Sequence, residues 1–214
     1  MTHPRGTVGI PAQETGRYTA FTESMSSLQS PAGTVISWAY GSDIVIGMNH
    51  LVDTMQGEWL WLMGDDHAFD PDLLMRLLDH RVDVVVPVCL MRQSPFWPVA
   101  KTSADQCLDL TSVPKEGLVE LYETGSAGML IRKSAFRRVR AAFPGPVFER
   151  GDTSEDYLLC SRLRGLGIPI HCYLGSRLGH MTVAAVWPGE VDGARCVDFQ
   201  ISDSYLVQVG ITSG

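Results

Sequence analysis

Two carboxylates and an imidazole stand together where a run of large apolar residues ends. The stretch WLWLMGDDHAFDPDLL, residues 59–74, drives five apolar side chains into Gly64 and then Asp65, Asp66 and His67. Carboxylates in such a place suit a hard divalent cation, which takes one or two of them and leaves positions for phosphate oxygens and water. Neighbouring strand residues point to opposite faces, so an extended backbone lets only one of Asp65 and Asp66 reach a given ion. Gly-Asp-Asp is also ordinary turn chemistry, and a solvated turn accounts for the same residues. A second acidic pair, Glu155-Asp156, stands where a helix is expected to begin, with Thr153 or Ser154 as its cap. The helix dipole alone stabilises acids there; the chemical alternative is a general base aimed at a hydroxyl.

These groups need strands and helices to bring them together. Residues 7–11 (TVGIP) read as a strand ending at a proline, which cannot donate a ladder hydrogen bond. A helix over 17–29, a strand over 34–40 and a helix over 43–56 follow, the last with apolar residues at 44, 45, 48, 51, 52 and 55. The continuous apolar run at 59–63 is expected of a strand covered on both faces. Pro71 with Asp70 and Asp72 opens another helix, and 82–91 (VDVVVPVCLM) forms the next strand. This alternation predicts an α/β protein with a mostly parallel sheet wound in helices. Ligands collect at the carboxyl ends of such strands, and Asp65, Asp66 and His67 occupy one. After residue 91 the pattern changes to a proline-rich segment, a strand, a small-residue loop (Gly125, Ser126, Ala127, Gly128), a short strand and a basic helix. A helix from about Thr153 to Leu166 stops at Gly167, and IPIHCYL is the last clear strand. Residues 188–214 add either strands or an oligomer contact. With no linker or repeat, one domain over 1–214 is expected.

Composition narrows the function. The 214 residues carry 24 acids against 17 Lys and Arg and no basic run, which argues against charge-driven nonspecific binding to nucleic acid. No apolar run approaches the roughly 20 residues that span a bilayer, and MTHPRGTVGIPAQ lacks a signal-peptide core, so a cytoplasmic protein is expected. The five cysteines are odd in number and without a CxxC pair, which suits free thiols better than disulfides or a zinc ribbon.

Six pieces in a fixed order carry a resemblance: VGIP, IGMNH, LWLMGDDHAFDPDLL, GSAGMLIRKSAF, SEDYLLCSRLRGLG and SRLGHM. From about Thr7 to Met181 the chain resembles a glycosyltransferase of the GT-A fold, close to the family-2 type, a three-layer Rossmann-like arrangement around a mixed, mostly parallel sheet. The resemblance implies a nucleoside diphosphate sugar as donor and Mn²⁺ or Mg²⁺ as cofactor. It makes Asp66 and His180 the metal ligands, the nitrogen leaning towards Mn²⁺, with His67 behind them or at the surface. Asp156 becomes the general base and Glu155 orients acceptor or sugar. Pro11, Ala12, Gln13, Asn49 and Asp65 would bind the nucleotide, Gly125 to Gly128 would admit the sugar, and Arg92 with Trp97 would border donor and acceptor. For each there is a plainer reading: a turn, a helix-surface amide, a solvated arginine, a packed tryptophan. One departure stands out, since Gly64 occupies the place of the first aspartate of the family's Asp-x-Asp motif. The acceptor is a small molecule or a protein or nucleic-acid surface, and a homo-oligomer remains open. Two rivals are a nucleotidyltransferase, weakened by an N-terminal loop with one arginine, and a binding protein of the same fold that has lost the chemistry.

Overall fold

A computed structural model describes residues 2–12, 18–41, 43–92, 95–202 and 205–210. The chain opens with β1 (Thr7–Ala12), α1 (Thr19–Ser27), β2 (Val35–Tyr40), α2 (Ile44–Thr54) and β3 (Trp59–Leu62). It continues through β4 (His67–Phe69), α3 (Leu73–Asp79) and β5 (Val84–Cys89) to four short strands, β6 (Ala100–Ser103), β7 (Gln106–Cys107), β8 (Leu118–Leu121) and β9 (Glu123–Thr124). Then come β10 (Leu130–Arg132), α4 (Lys133–Ala142), α5 (Glu155–Gly165), β11 (Ile170–His180), β12 (Ala185–Val191), β13 (Ala194–Ser202) and β14 (Tyr205–Gly210).

The main sheet has eight strands in the order β2-β1-β3-β10-β5-β11-β4, with β8 also on β11. The pairs β1 with β2, β1 with β3 and β5 with β11 are parallel, whereas β10 runs against both β3 and β5. Five strands therefore share one direction, as the alternating pattern predicts. The antiparallel insertion of β10 departs from it, because its three residues are too few to show a period. β3 is buried along its whole length and β5 at all but one residue, so both read as unbroken apolar runs. Pro87 fits inside β5 because β10 pairs only with Val84 and Val85, leaving the proline beyond that ladder.

Apolar side chains pack on both faces of the sheet. One layer gathers Met48, Leu51, Val52, Phe136, Val139, Leu159 and Leu163 from α2, α4 and α5, and the other gathers Phe21, Leu73, Leu74, Leu77 and Leu78 from α1 and α3. Asp43 caps α2, its Oδ1 accepting from the Val45 and Ile46 amides at 3.0 and 3.2 Å. α5 ends in a Schellman arrangement: the Ile168 amide donates to Leu163 O at 3.0 Å and Gly167 takes a φ of 64°. The tail forms a separate three-stranded antiparallel sheet, β12-β13-β14, which begins at Ala185. No helix of the described residues is long and apolar enough to cross a membrane.

Candidate active site

The chain leaves β3 at Leu62 and turns through Gly64, Asp65 and Asp66 into β4, a strand that the sequence pattern does not predict. β4 pairs antiparallel with the end of β11, and this register sets His67 directly opposite His180. The two imidazoles stack with centroids 4.6 Å apart. Asp66 faces both: Oδ1 lies 2.8 Å from His67 Nδ1, and Oδ2 lies 3.3 Å from His180 Nε2. Arg92 Nη1 reaches the same Oδ2 at 2.9 Å, so this guanidinium closes on the acid. The Met181 amide donates to Asp66 O at 2.8 Å and fastens the turn to the strand end. Because residues 65 and 66 lie in a turn, the alternation expected of a strand does not apply to them, and both residues line one cavity.

Gly64 has a steric reason to be glycine. A Cβ there would stand 2.7 Å from His67 Nδ1 and 2.8 Å from Asp66 Oδ1. Gly64 thus lies beneath the Asp66–His67 pair, and a side chain there would have to displace one of the two.

The electrostatics follow from this crowding. Burial works against the Asp66 charge, but hydrogen bonds from His180 and His67 hold the carboxyl far below the ordinary carboxylate range. The same bond to Asp66, helped by Cys89, lifts His180 to about 10. Burial opposes the protonated form of His67, and its bond to Asp66 reverses the balance and raises it. Burial also opposes the Cys89 thiolate, yet the imidazoles of His180 and His67 hold that thiol below its usual value.

The cavity beside this cluster has a volume of about 330 Å³. Pro11 and Ala12 from the end of β1 line one part of it with Ala39, Gly41, Asp43 and Gly47. Asp65, Asp66, His67 and His180 line another, and Gly125, Ser126, Ala127, Glu155 and Asp156 complete the wall. Asp156 Oδ2 accepts from the Ser126 amide at 3.2 Å, and Oδ1 accepts from the Ser154 hydroxyl. Ser154 stands at the N-cap of α5 but gives its hydroxyl to this carboxylate rather than capping the helix. Gly125 admits no side chain either, since a Cβ would meet Val99 Cγ1 at 2.6 Å.

Several expected residues lie elsewhere. The Asn49 side chain ties α2 to the segment before α5, donating to Phe148 O at 2.7 Å and accepting from Phe148 N at 3.0 Å; it does not line the cavity. Gly128 is also outside the lining. Its φ of 67° and a Cβ position 2.7 Å from Pro87 Cγ make it a packing glycine. Trp97 is 56% exposed rather than packed. Gln13 lies outside the described residues. Asp43 is not among the expected site residues, and His67 reads from sequence as a histidine behind the acids or at the surface until its partner strand is known.

Solved structures share this architecture. A197 from STIV matches with a TM-score of 0.55 over 97% of this chain and 96% of its own, at 10% identity. GalNAc-T7, solved with UDP, GalNAc and Mn²⁺, matches with a TM-score of 0.57 over 88% of this chain at 10% identity. The fold is GT-A-like. The chain spans 44% of the GalNAc-T7 chain, and likeness at this identity establishes architecture rather than reaction. No family model and no curated protein sequence matches.

Proposed function

We propose that this chain is a metal-dependent, inverting glycosyltransferase, near the family-2 type, that moves a sugar from a nucleoside diphosphate sugar to an acceptor hydroxyl. The observation that carries the reading is one cavity walled by the Asp66–His67–His180 cluster, by Asp156 with Glu155, and by a side-chain-free approach at Gly125. A GT-A-like neighbour solved with UDP, GalNAc and Mn²⁺ supports the same donor class and cofactor. Pro11, Ala12 and Asp43 would receive the nucleoside, and Asp65 its ribose.

Asp66, His67 and His180 bring a carboxylate and two imidazoles together, a donor set that suits a divalent cation able to displace the imidazole protons. Bound there, the cation neutralises charge on the departing diphosphate. Arg92 holds Asp66 in place and adds positive charge on the same side. Asp156 removes the acceptor proton, its carboxylate oriented by the Ser126 amide and the Ser154 hydroxyl. Glu155, beside it in the wall, orients acceptor or sugar.

The test separates binding from chemistry. Asp156→Asn keeps the size of the side chain and removes the proton acceptor. Donor affinity should stay near the wild-type value, while UDP or GDP release from a panel of nucleotide sugars falls by roughly two to four orders of magnitude. Near-normal transfer with lowered stability would reduce Asp156 to a structural acid at a helix start.

A further inference from the structure

We propose that His67, Cys89 and His180, closed by Asp66, form a mixed nitrogen and sulfur site for a borderline transition cation of the Zn²⁺ class, held without help from a nucleotide. This rests on the reading that the Asp66 end of the cavity is a cation centre. It adds a thiolate ligand that neither the resemblance nor the cavity lining points to.

The geometry comes from three adjacent strands. β4, β11 and β5 are hydrogen-bonded neighbours, with His67 opposite His180 and Cys89 opposite Leu178. One ligand atom from each of His67, Cys89 and His180 falls within 4.8 Å of the other two. Zinc bonds of about 2.0–2.1 Å to nitrogen and 2.3 Å to sulfur put tetrahedral ligands roughly 3.4–3.8 Å apart, so the three close onto one ion by shifts of about 1 Å or less.

The ring nitrogens are already sorted for this task. Asp66 Oδ1 and Gly64 O both approach His67 Nδ1, at 2.8 and 3.3 Å, so that nitrogen carries the proton and Nε2 keeps the lone pair. Leu90 O lies 3.1 Å from His180 Nδ1 and can only accept, so Nε2, now 3.3 Å from Asp66 Oδ2, is the nitrogen a cation would take, displacing the proton it shares with that acid. Fixing one imidazole nitrogen with a carboxylate or a backbone carbonyl is how metal-binding histidines are held. His67 is 5% exposed, and its Nε2 is buried without a hydrogen-bond partner among the described residues. A buried polar nitrogen left this way costs stability unless something occupies it. Cys89 Sγ interacts with both imidazoles and makes a weak 3.6 Å contact to the carbonyl of Leu90.

The donor types then select the ion. Mg²⁺ demands oxygen ligands, whereas two imidazoles and a thiolate favour Zn²⁺ and its neighbours. Cys89 is outside the cavity lining while Asp66, His67 and His180 are in it, so the thiol closes the site from the core side and the other three face the donor. Three or four protein ligands make a site that fills before any nucleotide arrives.

Metal-stripped, reduced protein titrated with Co²⁺ in the absence of nucleotide reads the ligand set directly. The expected spectrum has an intense thiolate-to-cobalt band in the near ultraviolet, Zn²⁺ bleaches it, and equal Mg²⁺ does not. Cys89→Ser should keep its circular dichroism and lose that band, and His67→Gln should bind Co²⁺ at least about tenfold more weakly. A Co²⁺ spectrum without the band, a spectrum unchanged in Cys89→Ser, or binding that appears only after UDP or GDP is added would each overturn the proposal. A parallel titration of UDP and GDP with Mn²⁺ separates the two readings. Nucleotide binding with no band sinks the thiolate site and leaves the transferase; a band with no nucleotide bound in any metal form does the reverse.

Discussion

Replacing Gly64 by alanine adds one methyl group at the most crowded point of the site. The new Cβ would stand 2.7 Å from His67 Nδ1, 2.8 Å from Asp66 Oδ1 and 3.0 Å from His67 Cε1. Ordinary contact begins at 3.4 Å, so the ring has to retreat by about 0.7 Å. It has little room, because it is buried and stacked on His180 at 4.6 Å. Overpacking of this kind costs about 1–3 kcal/mol, and in a chain of this length each kilocalorie lowers the melting temperature by roughly 2–4 °C. The same displacement breaks the bond that orients His67, so Co²⁺ or Zn²⁺ affinity should fall about 10- to 100-fold. Gly165→Ala is the matched control, since nothing lies within 4 Å of its added Cβ and it sits at the end of α5. That substitution should leave stability unchanged or raise it by up to about 1 kcal/mol. Thermal melts followed by circular dichroism, with metal titrations on both variants, make the comparison. A Gly64→Ala protein that melts and binds metal like the wild type would refute the argument that this glycine exists for the Asp66–His67 pair.

Other outcomes follow from the same contacts. Asn49→Ala abandons the Phe148 amide and carbonyl and should cost about 1–3 kcal/mol in denaturant unfolding, while nucleotide affinity measured by calorimetry stays unchanged because Asn49 lies off the cavity. Burial pushes the Cys160 and Cys172 thiols up to about 12, so under native conditions iodoacetamide should label the half-buried Cys107 well before either, as read by mass spectrometry of timed digests.

The parts of the fold that the sequence announces are those with long, strong patterns. TVGIP, TVISWAY, WLWLM and VDVVVPVCL are apolar enough and bounded enough to read as strands, and SEDYLLCSRLRGLG carries its own acidic start and glycine stop. The hidden parts are short or depend on distant partners. HAF and LIR are three-residue strands whose pairing comes from β11, β3 and β5, and a period cannot be read from three residues. Among the site residues, Asp66, Asp156 and His180 are legible because they sit at element ends beside recognisable neighbours. His67 and Cys89 are not, since each gains its meaning from a strand more than twenty residues away. Asn49 misleads for the opposite reason: an amide in a small-residue helix looks available until its tertiary partner, Phe148, is known.

The place of β10 bears on how the chain folds during synthesis. β3 and β5 never touch edge to edge; the three residues Leu130–Arg132 lie between them and hydrogen-bond to both. The ribosome delivers β3 and β5 more than forty residues before the strand that joins them, and until then two apolar, buried-type strands carry open facing edges. A nascent chain arrested short of residue 130 should therefore be far more prone to aggregation than one arrested just beyond α4. A proline at Ile131 would likewise cut the ladder between the half of the sheet that brings Pro11 and the half that brings His67, Cys89 and His180.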